Sequence, residues 1–309
     1  MSIPKLFIEH LDSIYHQLIE EKKGQIASYI PELKKSDPDD FAVAFCSTQG
    51  DLYQWGHADK SFTIQSVSKP FTYCLAQELL GHEKVHQYVG FEPSGHRFNE
   101  MTLDENQKPH NPMVNSGGIT CSYLIQEAEK EKALDCVQKL WGNLAQENQL
   151  DLKVLDSEKK TGHRNFALAH FLMEQKLFKE DTNIHELTEF YFQICSILQT
   201  SKSLASACAV LANGGRDPHS GRRIFAPLTV QHCLSLMLSC GMYDYSGTFA
   251  FQVGLPAKSG VSGALICPIP GVGGLAVYSP PLDPYGNSVR ALSFCKELAR
   301  RSKLHVFHQ

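Results

Sequence analysis

The sequence predicts an α+β fold in which one sheet is assembled from the two ends of the chain around an inserted helical lobe. Two observations carry that expectation. Short strand-like runs bounded by turn residues stand near the start and again after Ala250. Between them, apolar residues recur mainly at helical spacing. One domain over 1–309 follows, with approximate lobes of 1–65 plus 245–309 carrying the sheet and 66–244 mainly helical.

From Ile8 to Leu18, apolar residues alternate with Glu9, His10, Asp12 and Gln17, the pattern of an amphipathic helix rather than a secretory leader. That helix ends before Ser28-Tyr29-Ile30-Pro31, because Pro31 disfavours helical geometry at Ile30. Phe41 to Cys46, followed by Thr48-Gln49-Gly50-Asp51, reads as a strand and hairpin turn, with Leu52 to Trp55 as the partner. Phe62 to Gln65 is a brief strand or an extended approach to a helix starting near Ser66, whose first turn accommodates Pro70. Helices are then expected over Ser116 to Glu129, Lys132 to Glu147, Asn165 to Glu174, Ile184 to Thr200, Lys202 to Asn213 and Pro227 to Cys240. Phe251-Gln252-Val253, Gly260 to Ile269 and Gly274 to Tyr278 read as strands, and a helix from Ser288 to Arg300 closes the series.

The 309 residues are 42% hydrophobic and 20% charged, ordinary values for a globular protein with a substantial core. A formal net charge of −4 gives no support for a nucleic-acid surface. No apolar run approaches the roughly 18–20 residues that cross a bilayer. The ten cysteines are scattered singly, without a CxxC pair, which suits reduced buried thiols and a cytoplasmic location. Gly271-Val272-Gly273-Gly274 lacks the rest of a P-loop or dinucleotide fingerprint, and the fourteen histidines include no HExxH.

The sharpest local signal is Phe62-Thr63-Ile64-Gln65-Ser66-Val67-Ser68-Lys69. A serine hydroxyl is a weak nucleophile until a base takes its proton. Residues three apart on a helix share a face, so Ser66 and Lys69 can meet, and the helix start leaves backbone donors free near Ser66. Lys69 needs a value below its usual one of about 10.4, which burial or a neighbouring cation supplies. The motif alone is also explained by a capping serine. Lys258-Ser259-Gly260-Val261 adds a second element whose lysine, hydroxyl and glycine can flank a substrate carboxylate or carbonyl; Lys258 is otherwise a surface charge or carboxylate partner. Together the two segments resemble the SxxK and K[ST]G signature of penicillin-binding proteins and β-lactamases.

Beyond that pair, the chain resembles the serine-dependent glutaminases. The blocks that carry the likeness are Tyr29-Ile30-Pro31, Phe62 to Lys69, Lys108 to Gly117, Ser157-Glu158, Thr161-Gly162 with Arg164-Asn165, Ala212 to Gly215, Met242-Tyr243-Asp244, Val253 to Val261 and Ser279 to Asp283. They follow the family order over almost the whole chain. The resemblance implies a β-lactamase/DD-peptidase-like fold, an antiparallel sheet flanked by helices. It implies hydrolysis of L-glutamine to L-glutamate and ammonia without a cofactor, by a homodimer or homotetramer with no nucleic-acid or membrane partner. By motif position Ser66 is the nucleophile and Lys69 its base, while Tyr29 and Tyr243 are proton-transfer candidates. Asn115, Glu158, Asn165 and Tyr191 hold the amino acid, and the backbone amides of Ser66 and Val261 form the oxyanion hole.

The residue chemistry is compatible with this. Glu158 suits a substrate ammonium, and Asn115 and Asn165 can give directional hydrogen bonds to a carboxylate. Each also has a plainer reading: Glu158 in a solvated polar turn, Asn165 as a cap, Tyr191 as a core aromatic, Tyr243 as boundary packing. Two other functions stay open, a related SxxK amidase or peptidase with an open groove, and an inactive amino-acid-binding homologue. Within the resemblance, His163 stands where an aspartate is common and Phe166 where a basic residue is frequent, and Ser262 and Ala264 interrupt a usually glycine-rich stretch.

Overall fold

The computed structural model describes residues 3–28, 30–95, 99–145 and 147–308. Its centre is a five-stranded antiparallel sheet in the order β2-β1-β7-β6-β5. The strands are β1 (Ala42–Ser47), β2 (Leu52–Gly56), β5 (Lys258–Ser259), β6 (Ala264–Ile269) and β7 (Gly273–Tyr278); β3 (Phe62–Thr63) and β4 (Leu198–Gln199) form a separate small pair. The early hairpin thus sits beside the late strands, in the order of a sheet closed by both ends of the chain.

Alternation along the strands creates two cores. Ala42, Ala44 and Cys46 of β1, with Ile266 and Ala276, face the helical side, whereas Val43 and Phe45, with Leu265, Leu275 and Val277, face the opposite layer. That opposite layer is α1 (Lys5–Leu18) packed on α12 (Val289–Ser302), whose N-cap Ser288 accepts from the Ala291 amide. β1, β6 and β7 are buried along their whole length, while the edge strand β2 alternates.

The helical side contains α2 (Ser68–Leu80), α3 (His82–Val85), α4 (Asn115–Glu129), α5 (Ala133–Ala145), α6 (Leu152–Thr161), α7 (His163–Glu174), α8 (Ile184–Cys195), α9 (Ser201–Ala212), α10 (Pro227–Cys240) and α11 (Ser246–Gln252). Helix α9 lies on the sheet, and α2 packs on α4, which packs on α8. Thr200 caps α9 through a reciprocal capping box with Ser203. Among the described residues no helix is long and apolar enough to cross a membrane. All ten cysteines are unbridged and all but Cys136 are buried.

Four expected elements differ. The helix expected to reach Thr200 ends at Cys195, and Leu198-Gln199 instead pairs with Phe62-Thr63 as β4. Phe251-Gln252-Val253 is not a strand: Phe251 and Gln252 finish α11, and the Val253 amide bonds Phe249 O at 2.8 Å. A three-residue segment is shorter than one helical turn, so its period cannot separate the two structures. The polar stretch around Glu158 is helix α6, started by Asp151, whose side chain accepts from the Lys153 and Val154 amides. Gly260 to Ile269 resolves into β5 and β6 around a turn closed by Gly260 N to Ala264 O at 2.8 Å.

Candidate active site

Ser66 sits in a single 3₁₀ turn, Gln65–Val67, that leads directly into α2. The turn is entered through Gln65 at φ +49, the left-handed region that non-glycine residues seldom occupy. Such strain persists where the surroundings impose it, as at active sites. Pro70 stands in the first turn of α2, where its missing N–H leaves no bond unmade. One helical turn on from Ser66, Lys69 Nζ lies 2.7 Å from Ser66 Oγ and 3.0 Å from the Tyr191 hydroxyl.

Two glycines make this approach possible. A Cβ at Gly118 of α4 would stand 2.9 Å from Lys69 Cε and 3.1 Å from Tyr191 Cε2. A Cβ at Gly260 would meet Ile64 O at 2.9 Å and Val67 Cγ2 at 3.2 Å, pushing the end of β5 away from the serine turn.

Lys69 is 2% exposed, and that burial brings its amine down to about 8, against the opposing influence of Cys195 and Glu158. Glu158 is 4% exposed, and burial pushes its carboxyl up to about 7, opposed by a Gln65 hydrogen bond and by Lys69. Gln65 Nε2 donates to Glu158 Oε1 at 2.6 Å. Ionisable groups shifted by burial and by a specific charged neighbour in one cleft mark a candidate functional site.

Around this pair the other side chains converge. Tyr191 donates to Asn115 Oδ1 at 3.3 Å, and Asn115 Nδ2 donates to Asn165 Oδ1 at 2.9 Å. Ser66, Asn115, Glu158, Asn165 and Tyr191, with Cys195 as part of the wall, line one cavity of about 90 Å3. Tyr243 opens a second 3₁₀ turn at φ +55, donates to Ser259 O at 2.9 Å and is hydrogen-bonded with Ser66. Burial raises its hydroxyl above the ordinary range and the Ser66 bond opposes that. Val261 packs with Ala27, Ile30, Val154 and Leu282, and Tyr243 leans on that cluster. Tyr29 lies outside the described residues.

Some expectations change here. Glu158 is not in a solvated turn but on the inner face of α6. Lys258 is neither a surface charge nor a carboxylate partner: it is fully buried, and its Nζ donates to Ser259 O at 2.6 Å. Gln65 had no assigned part in the sequence reading, although it stands beside Ser66; nothing in its identity announces a left-handed backbone or a bond to a residue on α6. Phe166 packs its ring against His185 and Phe192.

Among known families, the glutaminase family matches residues 24–307. The chain belongs to the glutaminase family. It is 43% identical over 308 residues to putative glutaminase 3 of Caenorhabditis elegans, covering 97% of this chain and 52% of that protein. It is 42% identical over 304 residues to the mitochondrial liver-isoform glutaminase of Rattus norvegicus, covering 97% and 50%. The chain therefore spans about half the length of these curated relatives. With a glutaminase of Nostoc sp. it shares 42% over 302 residues, covering 97% of this chain and 89% of that one. The solved structure of Mglu in its glutamate form superposes with a TM-score of 0.93 at 37% identity, over 100% of this glutaminase-family chain and 71% of the other. The native form of Mglu gives 0.92 at 36%, over 99% and 75%. The β-lactamase-like architecture expected from the motifs is thus the observed one.

Proposed function

We propose that the chain hydrolyses L-glutamine to L-glutamate and ammonia through an ester on Ser66. The observation that carries this reading is the 2.7 Å contact between Lys69 Nζ and Ser66 Oγ, beside a cavity that also holds the buried Glu158. In the structure the amine donates to the serine; once neutral, it accepts the serine proton through the same contact. An amine brought down to about 8 is neutral in a useful fraction at mildly alkaline pH.

The proposed reaction has two stages. Ser66 Oγ attacks the side-chain carbonyl carbon as its proton passes to Lys69. The backbone amides of Ser66 and Val261 receive the developing oxyanion, the Ser66 amide standing at a helix start where intrahelical partners are lacking. The carbon–nitrogen bond breaks as a proton reaches the nitrogen from Lys69 or Tyr243, and ammonia leaves. Water then attacks the ester, the carbon–oxygen bond breaks, and Ser66 recovers its proton. Glu158 takes the substrate ammonium. Asn115 and Asn165, with Tyr191, take the α-carboxylate. A small enclosed cavity suits a free amino acid rather than an extended peptide.

The test is release of ammonia and glutamate from glutamine, compared with asparagine and a β-lactam, in wild type and Ser66→Ala. Glutamine turnover that falls roughly 10⁴-fold or more in the variant is expected for loss of a covalent nucleophile. Equal turnover in the two proteins would eliminate the covalent route, and a wild type that prefers the β-lactam would redirect the reading to the penicillin-binding class.

A further inference from the structure

The geometry points to Lys258 as a positioning residue that sets the Tyr243 hydroxyl over Ser66 by holding, from beneath the tyrosine ring, the carbonyl to which that hydroxyl donates. This rests on the hydrolytic reading of Ser66 and deepens it. Lys258 lies in β5, paired with Ile266 of β6, and is fully buried. Its Nζ stands 4.4 Å from the centre of the Tyr243 ring and donates to Ser259 O at 2.6 Å. The Tyr243 hydroxyl donates to the same carbonyl at 2.9 Å. One oxygen, with two lone pairs, thus receives the amine and the phenol together.

That carbonyl ends a chain of hydrogen bonds. Lys69 bonds Ser66, Ser66 bonds Tyr243, and Tyr243 bonds Ser259 O, with Lys258 closing the far end. Neither Lys258 nor Tyr243 lines the cavity, so the influence of Lys258 on chemistry passes through the Tyr243 hydrogen bond to Ser66, which does line it. Tyr243 needs such a hold, because it stands at φ +55, a conformation its own backbone does not favour. The Ser259 carbonyl is itself kept in place by the Ser259 amide, which bonds Gly241 O at 3.2 Å.

A plain packing role is a poor account of this lysine. Its amine is taken wholly from water, which pushes it well below the usual lysine range, and the charge on Lys69 adds to that effect. A methionine fills similar volume at this site without that desolvation cost. A polar group kept where an apolar one would pack is explained by the oxygen it holds.

The experiment compares wild type, Lys258→Met, Tyr243→Phe and the double variant in glutamine hydrolysis, with thermal melting of each. In Lys258→Met, kcat is expected to fall roughly 10–100-fold, part of the 10²–10⁴ available to a positioned proton-transfer group, with KM within about twofold. In the Tyr243→Phe background the same change is expected to cost less than about threefold, because its effect passes through the missing hydroxyl. Full additivity, an unchanged kcat, or a loss confined to KM would overturn the inference. Lys258→Gln, which keeps a shorter donor, is expected to fall between wild type and Lys258→Met. Failure of both single variants to fold would overturn the inference too, by making Lys258 a determinant of the fold. If wild type hydrolyses no glutamine, the parent reading fails separately, and the rate of Ser66 sulfonylation by methanesulfonyl fluoride then reads the same four proteins. Slower labelling in Lys258→Met with no further slowing in the double variant would uphold the positioning role, and equal labelling rates would reject it.

Discussion

Replacing Glu158 by Gln is expected to stabilise the ligand-free protein while weakening its hold on glutamine. The carboxyl is buried and pushed up to about 7 from an ordinary 4.5. A carboxyl whose folded value lies above its unfolded one is protonated in both states below about pH 4.5 and contributes no cost there. As pH rises from 4.5 to 7 the folded state retains a proton that the unfolded state releases, so stability falls, and the full cost is present above 7. The gap between 4.5 and about 7 corresponds to about 3 kcal/mol. Glutamine at this position carries no charge and still offers an oxygen to Gln65 Nε2, now 2.6 Å from Glu158 Oε1. At about 2.1 cal/mol/K per residue over 309 residues, 3 kcal/mol raises Tm by roughly 5 °C at pH 8. At pH 5 most of the cost is absent and the gain shrinks to roughly 1 °C.

The same substitution removes the proposed counter-charge of the substrate ammonium. Opposite charges about 4 Å apart at an effective dielectric near 20 attract by about 4 kcal/mol. Even with much of that attraction replaced by a neutral hydrogen bond, KM for glutamine is expected to rise at least about 100-fold at pH 8. Differential scanning calorimetry at pH 5 and 8, beside steady-state kinetics, measures both effects. A Tm at pH 8 equal to or below that of wild type would refute the buried-charge argument. An unchanged KM would refute the assignment of Glu158 to the ammonium.

The remaining expectations concern the base, the space around it and the sheet. Lys69 must be neutral to accept the serine proton, so kcat/KM is expected to rise as pH increases through about 8, followed in a pH profile of ammonia release. A profile flat from pH 6 to 9 would exclude Lys69 as the base. Gly118→Ala places a methyl 2.9 Å from Lys69 Cε and is expected to lower kcat at least tenfold while costing about 1–3 kcal/mol of stability in a denaturant titration. Equal kcat would mean that Lys69 tolerates displacement. Arg290 is buried and donates to Glu21 O at 2.7 Å and Asp40 O at 3.1 Å, so Arg290→Met is expected to destabilise by about 2–4 kcal/mol without changing KM.

Where a segment's environment is uniform along its length, its structure could be read from local pattern. Pro227–Cys240 begins on a proline that suits the first helical position and ends at a glycine, and its bounds match the expectation. The hairpin at Thr48 to Asp51 has Gly50 at φ +93, the conformation that a turn glycine supplies. The misread elements share a different property: tertiary partners decide them. Leu198-Gln199 is a strand because Phe62-Thr63 lies beside it, a pairing across 135 and 137 residues of sequence that no local window contains. α6 is polar on most of its surface, and its buried positions, Val154, Leu155, Ser157 and Glu158, include two that no hydrophobic pattern counts as core.

The site divides along the same line. The SxxK spacing is a local relation, and the 2.7 Å contact follows from placing residues three apart at a helix start. The couplings that give these groups their chemistry are not local. Gln65 reaches Glu158 over 93 residues, and Tyr191 reaches Lys69 over 122, so burial and partner identity could enter the sequence reading only through whole-chain resemblance. Resemblance in turn carries residue identities but not backbone geometry. Gln65 and Tyr243, both in the left-handed region, hold the two ends of the serine turn's environment: one clamps the buried Glu158 carboxyl, the other shares its hydroxyl with Ser66. Neither is a glycine, so neither advertises the conformation. A strained backbone is retained where neighbouring contacts oppose its relaxation. The Gln65–Glu158 bond and the Tyr243–Ser259 bond supply that opposition here, which makes the hydrogen-bond partners of these two residues as much a part of the site's geometry as Ser66 and Lys69 themselves.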